Sequence, residues 1–431
     1  MQTNLADFIK DTPEGIEAES ILRKCVHCGF CLATCPTYNL LGDELDSPRG
    51  RIYLIKQMLE GAPVTEKTML HLDRCLTCRA CETTCPSGVQ YGRLIDIGRE
   101  IVEHKVERTA IDKLKRSILK KVLPQTGLFT AGLTIGRAVK PLLPNAIAKK
   151  IPAKRDAGVW PAPRHARRML VLQGCVQPAM APSINAATAR VLDKLGISLI
   201  TAPNAGCCGA IPHHLNDPHE AHVFIKRNID AWMPFIEGTG NEKVEAIVVT
   251  ASGCGTTVAE YGYLLRNDAD YAEKAQRISA LYRDISEVIS QEKVALAKLF
   301  APQNRAKQKL AFHSPCSLQH GLKIKGVVEE ILTSAGYEFT NVPDSHLCCG
   351  SAGTYSILQS EISQQLLANK VEALESGAPQ MIATANIGCL AHVESGLKAS
   401  TGTPIRHWIE LVDERSGVID RGSQPRLALN N

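Results

Sequence analysis

Two copies of one cysteine pattern constrain the N-terminal hundred or so residues more than anything else in the chain: Cys25-x2-Cys28-x2-Cys31-x3-Cys35-Pro36 and Cys75-x2-Cys78-x2-Cys81-x3-Cys85-Pro86. Three thiols at two-residue gaps can be wrapped by a tight loop around one face of a cubane [4Fe–4S] cluster, and the fourth ligand must come from elsewhere. Where two such runs occur together, the last cysteine of each ligates the other cluster. That rule assigns Cys25, Cys28, Cys31 and Cys85 to one cluster, and Cys75, Cys78, Cys81 and Cys35 to the second. The proline after each run fixes φ and removes a donor, which favours an abrupt change of direction. Paired Cys-x-x-Cys units also suit zinc, but two complete runs with matching prolines favour cubanes. No signal segment precedes Cys25, so a disulfide framework is disfavoured and a cytosolic setting is expected.

The whole chain reads as an ordinary globular protein of about three domains on the usual size prior. Its 431 residues are 44% hydrophobic and 22% charged, and no apolar run approaches the roughly 18 residues of a membrane span. The net charge of +5 is concentrated. From Lys105 to Arg168 there are sixteen Lys or Arg against three acids, Glu107, Asp112 and Asp156. The stretch lacks interleaved aromatics and matches no nucleic-acid module, so no nucleic acid is expected. Its segment Ile118 to Ile151, with Pro124, Pro141 and Pro144, predicts short kinked helices. Amphipathic helices usually face a protein core, which makes packing on the neighbouring domain the expectation; a membrane-surface helix is the alternative.

The first hundred residues predict helices without strands. One, Arg51 to Leu59, follows a Ser47-Pro48 start, and a second spans Tyr91 to Val106. Residues 14–104, with eight cysteines and their prolines, resemble the helical ferredoxin of succinate dehydrogenase and fumarate reductase iron–sulfur subunits.

From Arg167 onwards, apolar strand-like runs alternate with helical stretches, which predicts parallel α/β layers. The runs are Met169–Leu172, Ile197–Ile200 and Ala246–Val249, then Leu310–Phe312, Tyr337–Phe339 and Met381–Ala383. The other eight cysteines mark this as an internal repeat: Cys175 precedes Cys207-Cys208-Gly209 by 32 residues and Cys254 follows, and Cys316 precedes Cys348-Cys349-Gly350 by the same 32 and Cys389 follows. Each group falls after a strand, where α/β sheets bind ligands. The glycine after each pair permits a tight turn.

These repeats resemble the CCG cysteine-rich domain family of heterodisulfide reductase B subunits. The fullest family pattern ends in Cys-x-x-Cys, but Ala251 and Asn386 stand where the extra cysteines would be. The resemblance implies additional cluster or metal ligands, and the departure leaves a conventional cluster, a metal site or structural thiols open. Buried free cysteine is the plain reading of the residues alone. His213, His214, His313, His346 and His392 lie near these motifs as candidate proton relays.

The expected fold class is therefore multidomain α + α/β. A mainly helical ferredoxin with two [4Fe–4S] clusters (1–104) leads through a basic, helical linker (105–166) into two pseudo-repeated CCG domains (167–300 and 301–431), the last with a polar, frayed tail after Asp413. No dinucleotide fingerprint, P-loop or flavin site is visible. No catalytic residue is expected on this chain.

With Arg23 to Tyr38, Ser47 to Ile52 and Cys81 to Gly92 as carrying segments, the layout resembles the glycolate oxidase iron–sulfur subunit family. That resemblance implies an electron-transfer subunit of a glycolate dehydrogenase complex. Flavoprotein subunits would oxidise glycolate, and D-lactate secondarily, and electrons would pass to a quinone or quinone-linked acceptor. It also implies a cytoplasmic protein peripheral on the cytoplasmic face of the inner membrane. The competing class is a heterodisulfide-reductase-like or quinone-reducing subunit whose CCG-bound clusters do the chemistry.

Overall fold

The computed structural model describes residues 1–142, 151–238, 243–300 and 307–417. Residues 1–142 contain helices and no strand. Helix Pro13–Lys24 starts on Thr12, whose hydroxyl accepts from Gly15 N at 3.0 Å. Helix Pro48–Leu59 starts on Ser47 in the same way, at 2.9 Å from Gly50 N. In both, a hydroxyl satisfies an orphan N–H and proline takes a position where its missing donor is not needed. Helix Tyr91–Lys105 lays Leu94, Ile95 and Val102 against Ile21, Leu22, Ile55 and Leu59, all buried in one core.

The rest is two parallel sheets of four strands with one topology. β1 (Arg167–Val171), β2 (Ile197–Ile200), β3 (Ile247–Val249) and β4 (Tyr282–Asp284) run in the order β2-β1-β3-β4. β5 (Gln308–His313), β6 (Tyr337–Phe339), β7 (Met381–Thr384) and β8 (Ile405–His407) run β6-β5-β7-β8. The sequence patterns find six of these strands and miss β4 and β8. Each of those is three residues with arginine at its centre, too short to display a period. Each runs straight into a helix with a capping box, Asp284 with Glu287 and His407 with Glu410, which satisfies both ends of the orphan donors.

The two repeats are not separate lobes. Leu192 and Val248 of the first share one core with Leu310, Ile382, Trp408 and Leu411 of the second. His407 Nε2 pairs with the Thr250 carbonyl at 3.0 Å, and Gly253 N donates to Asn386 Oδ1 at 3.3 Å. The chain after Asp413 is packed rather than frayed as far as Ser416. Arg415 and Ser416 are buried, and Lys194 Nζ reaches Ser416 Oγ at 2.7 Å. Residues 418–431 lie outside the described residues.

The basic linker does form helices, Ala110–Val122 and Thr126–Val139, while residues 143–150 lie outside the described residues. Arg108 and Arg116 anchor the first helix to Asp73 at 2.6 and 3.0 Å. The expected packing of its apolar face is corrected, however. Ile111, Leu114 and Ile118 are exposed, and Thr126–Val139 buries no residue at all. Leu119, Val122, Phe129 and Leu133 are half-buried, and basic side chains make the ion pairs and hydrogen bonds to the rest of the chain. Lys120 reaches Asp217 at 2.7 Å, and Arg137 reaches the Ala179 carbonyl at 3.2 Å.

Candidate iron–sulfur centres

The sequence repeat becomes a backbone repeat. His27 and Thr77, each two residues past the first cysteine of its run, both have positive φ, 55° and 50°. Gly29 and Arg79, each following the second cysteine, do so again at 84° and 59°. Left-handed residues at these places curl the loop around a concavity. Glycine takes such a φ freely, whereas Arg79 is held there by a two-pronged ion pair to Glu260, at 2.5 and 2.9 Å.

Each loop lines a cavity. Cys25, Cys28, Cys31 and Cys85 line the first, with His27, Arg49 and the edge of Cys81. Cys35, Cys75, Cys78 and Cys81 line the second, with Thr37, Arg51, Arg79 and Tyr91. Pro48, Cys81 and Tyr91 face both. Four thiols to a cavity is the donor set a cubane needs. In the first cavity the buried Nε2 of His27 lacks a partner, a polar atom that a sulfide-rich group would meet. The residues fit two cubanes.

The second cavity is the more elaborately supported. Tyr91 donates its hydroxyl to Cys75 Sγ at 3.6 Å, Thr77 N donates to the same sulfur at 3.4 Å, and Thr37 Oγ1 lies 3.3 Å from Cys35 Sγ. Arg51 is 1% exposed. It donates to the His71 carbonyl at 2.7 Å, to Thr37 Oγ1 at 3.1 Å and to Asp46 Oδ1 at 3.2 Å. Asp46 is fully buried and also meets Arg74 at 2.8 Å and His71 Nδ1 at 3.1 Å. Burial works against the Arg51 charge, but Tyr91, Cys75, Cys35 and Asp46 outweigh it and keep the guanidinium protonated. A fixed cation therefore stands beside the second set of sulfurs. Sequence reasoning missed this network, although an Arg three residues after a helix-starting Pro was visible.

The CCG cysteines also converge at the carboxyl ends of the strands, with one difference between copies. Gly209 and Gly350 adopt φ of 89° and 88°, and their pairs turn inward as the motif predicts. In the first repeat Cys175, Cys207 and Cys208 are buried and Cys254 is half-buried. Hydrogen bonds from Cys175 and Cys208 hold the Cys207 thiol well below its usual range. In the second, Cys316 Sγ lies 3.8 Å from Cys348 Sγ; the bond to Cys348 draws the Cys349 thiol down, but the bond to Cys389 together with burial outweighs it and pushes it up. Cys78 of the ferredoxin packs in one apolar cluster with Cys316, Cys348, Leu76 and Tyr355. Cysteines of the second repeat therefore back onto the second cage, while the first repeat reaches it through Glu260 on Arg79.

Asn386, standing where the fullest pattern has cysteine, donates its amide to Cys389 Sγ at 3.4 Å. Of the five candidate histidines, His213 meets Asp96 at 3.4 Å beside His214, and His392 Nε2 lies 3.2 Å from Ser363 Oγ. The His346 carbonyl, not its ring, is the atom that bonds His320, at 2.9 Å. His313 stands among thiols: its ring nitrogen and the sulfurs of Cys349 and Cys389 lie within 4.8 Å of one another, all three residues buried.

Residues 21–89 match the family model of the 4Fe-4S dicluster domain, and 169–259 and 310–394 match that of the cysteine-rich domain. The Escherichia coli glycolate oxidase iron–sulfur subunit is 54% identical over 96% of this chain and 99% of its own length. A probable glycolate oxidase iron–sulfur subunit of Bacillus subtilis is 30% identical over 88% of this chain and 90% of its own. Lactate utilization protein A of Bacillus licheniformis is 25% identical over 56% of this chain and 97% of its own length.

Proposed function

Because the chain belongs to the family of glycolate oxidase iron–sulfur subunits, we propose that it carries electrons away from a flavoprotein partner in a complex. That partner oxidises glycolate to glyoxylate, with D-lactate as a secondary substrate, and the electrons go to a quinone-linked acceptor. Iron–sulfur cubanes exchange single electrons, and so connect a two-electron flavin to one-electron carriers. Cys25, Cys28, Cys31 and Cys85 would hold one, and Cys75, Cys78, Cys81 and Cys35 the other.

The observation that carries this reading is the placement of the two cages. The first reaches solvent through the exposed Cys28, and at its rim Val26 and Phe30 are 68% and 64% exposed. An apolar rim around a redox cage suits a docked protein partner. The second cage lies inward, against the second CCG repeat. Arg51 supplies positive charge beside its sulfurs, while the Tyr91 hydroxyl donates to Cys75 Sγ. The reading that the CCG thiols catalyse is disfavoured by Ala251 and Asn386 in the two ligand positions.

No described helix is long and apolar enough to cross a membrane. The uncovered face of Ile111, Leu114 and Ile118, flanked by Lys113, Lys115 and Lys121, suits the surface of an anionic bilayer. This supports a peripheral place on the cytoplasmic face of the inner membrane. Purified complex should reduce an artificial dye with glycolate, whereas the isolated subunit should not; dye reduction by the isolated subunit would sink the relay. Flotation with phosphatidylglycerol vesicles should be lost when Ile111, Leu114 and Ile118 become Glu.

A further inference from the structure

The two CCG repeats carry the same thiols at the same spacing but differ at one rung of the sheet. In the second repeat, β5 and β7 bring His313 and Thr384 side by side. In the first, the ladder pairs Leu170 with Ile247 and Val171 with Val248, so the next rung is Leu172 and Val249. The correspondence also follows from the cysteines. His313 and Leu172 each stand three residues before the first Cys of their repeat, and Thr384 and Val249 each stand five before the last. Leu172 and Val249 are ordinary buried core. A buried imidazole among thiols in their place needs a reason, because burial of polar groups costs free energy unless they are partnered.

The partners available to it are those of a metal site. A ring nitrogen of His313, Cys349 Sγ and Cys389 Sγ fall within 4.8 Å of one another. Ligand atoms around a tetrahedral zinc ion are roughly 3.5–3.8 Å apart, so a small contraction closes the three onto one ion. The surroundings are those of orienting groups for metal ligands: Thr384 Oγ1 lies 3.0 Å from His313 Nδ1, and Asn386 Nδ2 donates to Cys389 Sγ at 3.4 Å. Among the described residues, no histidine groups with the thiols of the first repeat in this way, and Ala251 there has no amide to donate.

We infer that the second CCG repeat, and not the first, holds a single zinc-class metal ion on His313, Cys349 and Cys389. Nitrogen with two thiolates, fully enclosed, is a donor set for zinc or another borderline ion rather than for magnesium or calcium. Binding releases the two thiol protons to solvent, and no redox step is involved. Cys349 directly follows Cys348, which packs in one cluster with Cys78 of the second cage, while Cys349 and Cys389 lie in the sheet core. The inference is independent of which substrate the complex oxidises.

The test is elemental analysis of the full chain, purified with its clusters and dialysed against a weak chelator. About one zinc per chain should accompany the iron of the two cubanes. His313→Leu, which installs the residue of the first repeat, and Cys389→Ala should each lower zinc affinity at least tenfold, on the scale by which even outer-shell changes weaken zinc sites. Cys254→Ala should leave zinc and iron unchanged. Cobalt loaded in place of zinc should show sulfur-to-metal charge-transfer absorption that His313→Leu shifts. Zinc-free wild-type chain with full cubane iron would overturn the site, as would zinc retained in His313→Leu or lost equally in Cys254→Ala. Iron and sulfide in excess of two cubanes, removed by Cys389→Ala, would replace it with a cluster. If both second-repeat variants fail to fold, Thr384→Val and the wild-type zinc content still decide.

Discussion

The two cysteine cages share a spacing and a backbone, yet the chain surrounds them differently. The first is open, and its nearby Arg49 spends its charge on Glu44 at 2.7 Å in a pair about a third exposed. The second is enclosed. Its Arg51 is buried, tied to Asp46, and its Cys75 sulfur receives bonds from Tyr91 and Thr77. Cysteine spacing thus specifies ligands, while the setting that tunes a cluster comes from residues outside the motif. An outward cage suits exchange with a partner and an inward one suits holding charge in a fixed field.

The largest test of that contrast is the pair of arginines. Arg51→Met leaves the buried Asp46 short of a cation and should cost about 3–5 kcal/mol, whereas Arg49→Met should cost under about 1 kcal/mol. Denaturant unfolding of the holo-subunit with iron counts would measure both; equal losses would break the contrast. Next is Gly29→Ala. It forces a left-handed residue at about 1–2 kcal/mol, and its Cβ would meet Leu32 Cδ1 at 3.0 Å and Arg49 Nη1 at 3.1 Å. The loss should fall on the first cluster alone, seen as one EPR signal diminished and one retained.

Tyr91→Phe is smaller. It removes the hydroxyl on Cys75, worth about 0.5–1.5 kcal/mol as a hydrogen bond, and so should lower one midpoint potential in a redox titration while the other stays put. Movement of both would mean the cages are not electrostatically separate.

The smallest effect concerns the contact between Asp96 of the ferredoxin and His213 of the first CCG repeat. Burial pushes the Asp96 carboxyl up, but the bond and charge of His213 outweigh it and hold it down at about 2. Burial pushes His213 down, and Asp96 outweighs this to raise it. Stability from Asp96 is present above the ordinary carboxylate pKa and is lost as pH falls towards 2. Stability from His213 is complete below its ordinary pKa and is lost as pH rises through the raised value. Protection from hydrogen exchange in Ala210–His214, taken relative to the intrinsic amide rate at each pH, should therefore be greatest between about pH 4 and 6.5, and Asp96→Asn should flatten that profile.

Much of this was legible in the residues. Ser47-Pro48 announces its helix because hydroxyl capping and proline at the first turn are local effects. The cysteine runs announce their loops because consecutive ligands must wrap one object. The repeat of β1–β3 in β5–β7 shows in apolar runs. What escaped was whatever depended on distant partners. β4 and β8 carry no period of their own and are strands only because a neighbour's edge pairs with them. The exposed face of Ala110–Val122 follows from where Asp73 and Asp217 capture Arg108, Arg116 and Lys120.

The sequence by itself determined the chemistry available: eight cysteines in two interlocking runs, eight more in two repeats, and no dinucleotide or P-loop fingerprint. Spacing along a chain is enough for that, since ligands a few residues apart cannot help being neighbours. Tertiary structure decided how the parts are used. It set Arg51 and Asp46 behind one cage only, brought the second repeat rather than the first against Cys78, and stood His313 beside Cys349 and Cys389. Those outcomes rest on burial and on contacts between residues far apart in sequence. No local pattern encodes them, because the energy that selects them exists only once the whole chain has packed.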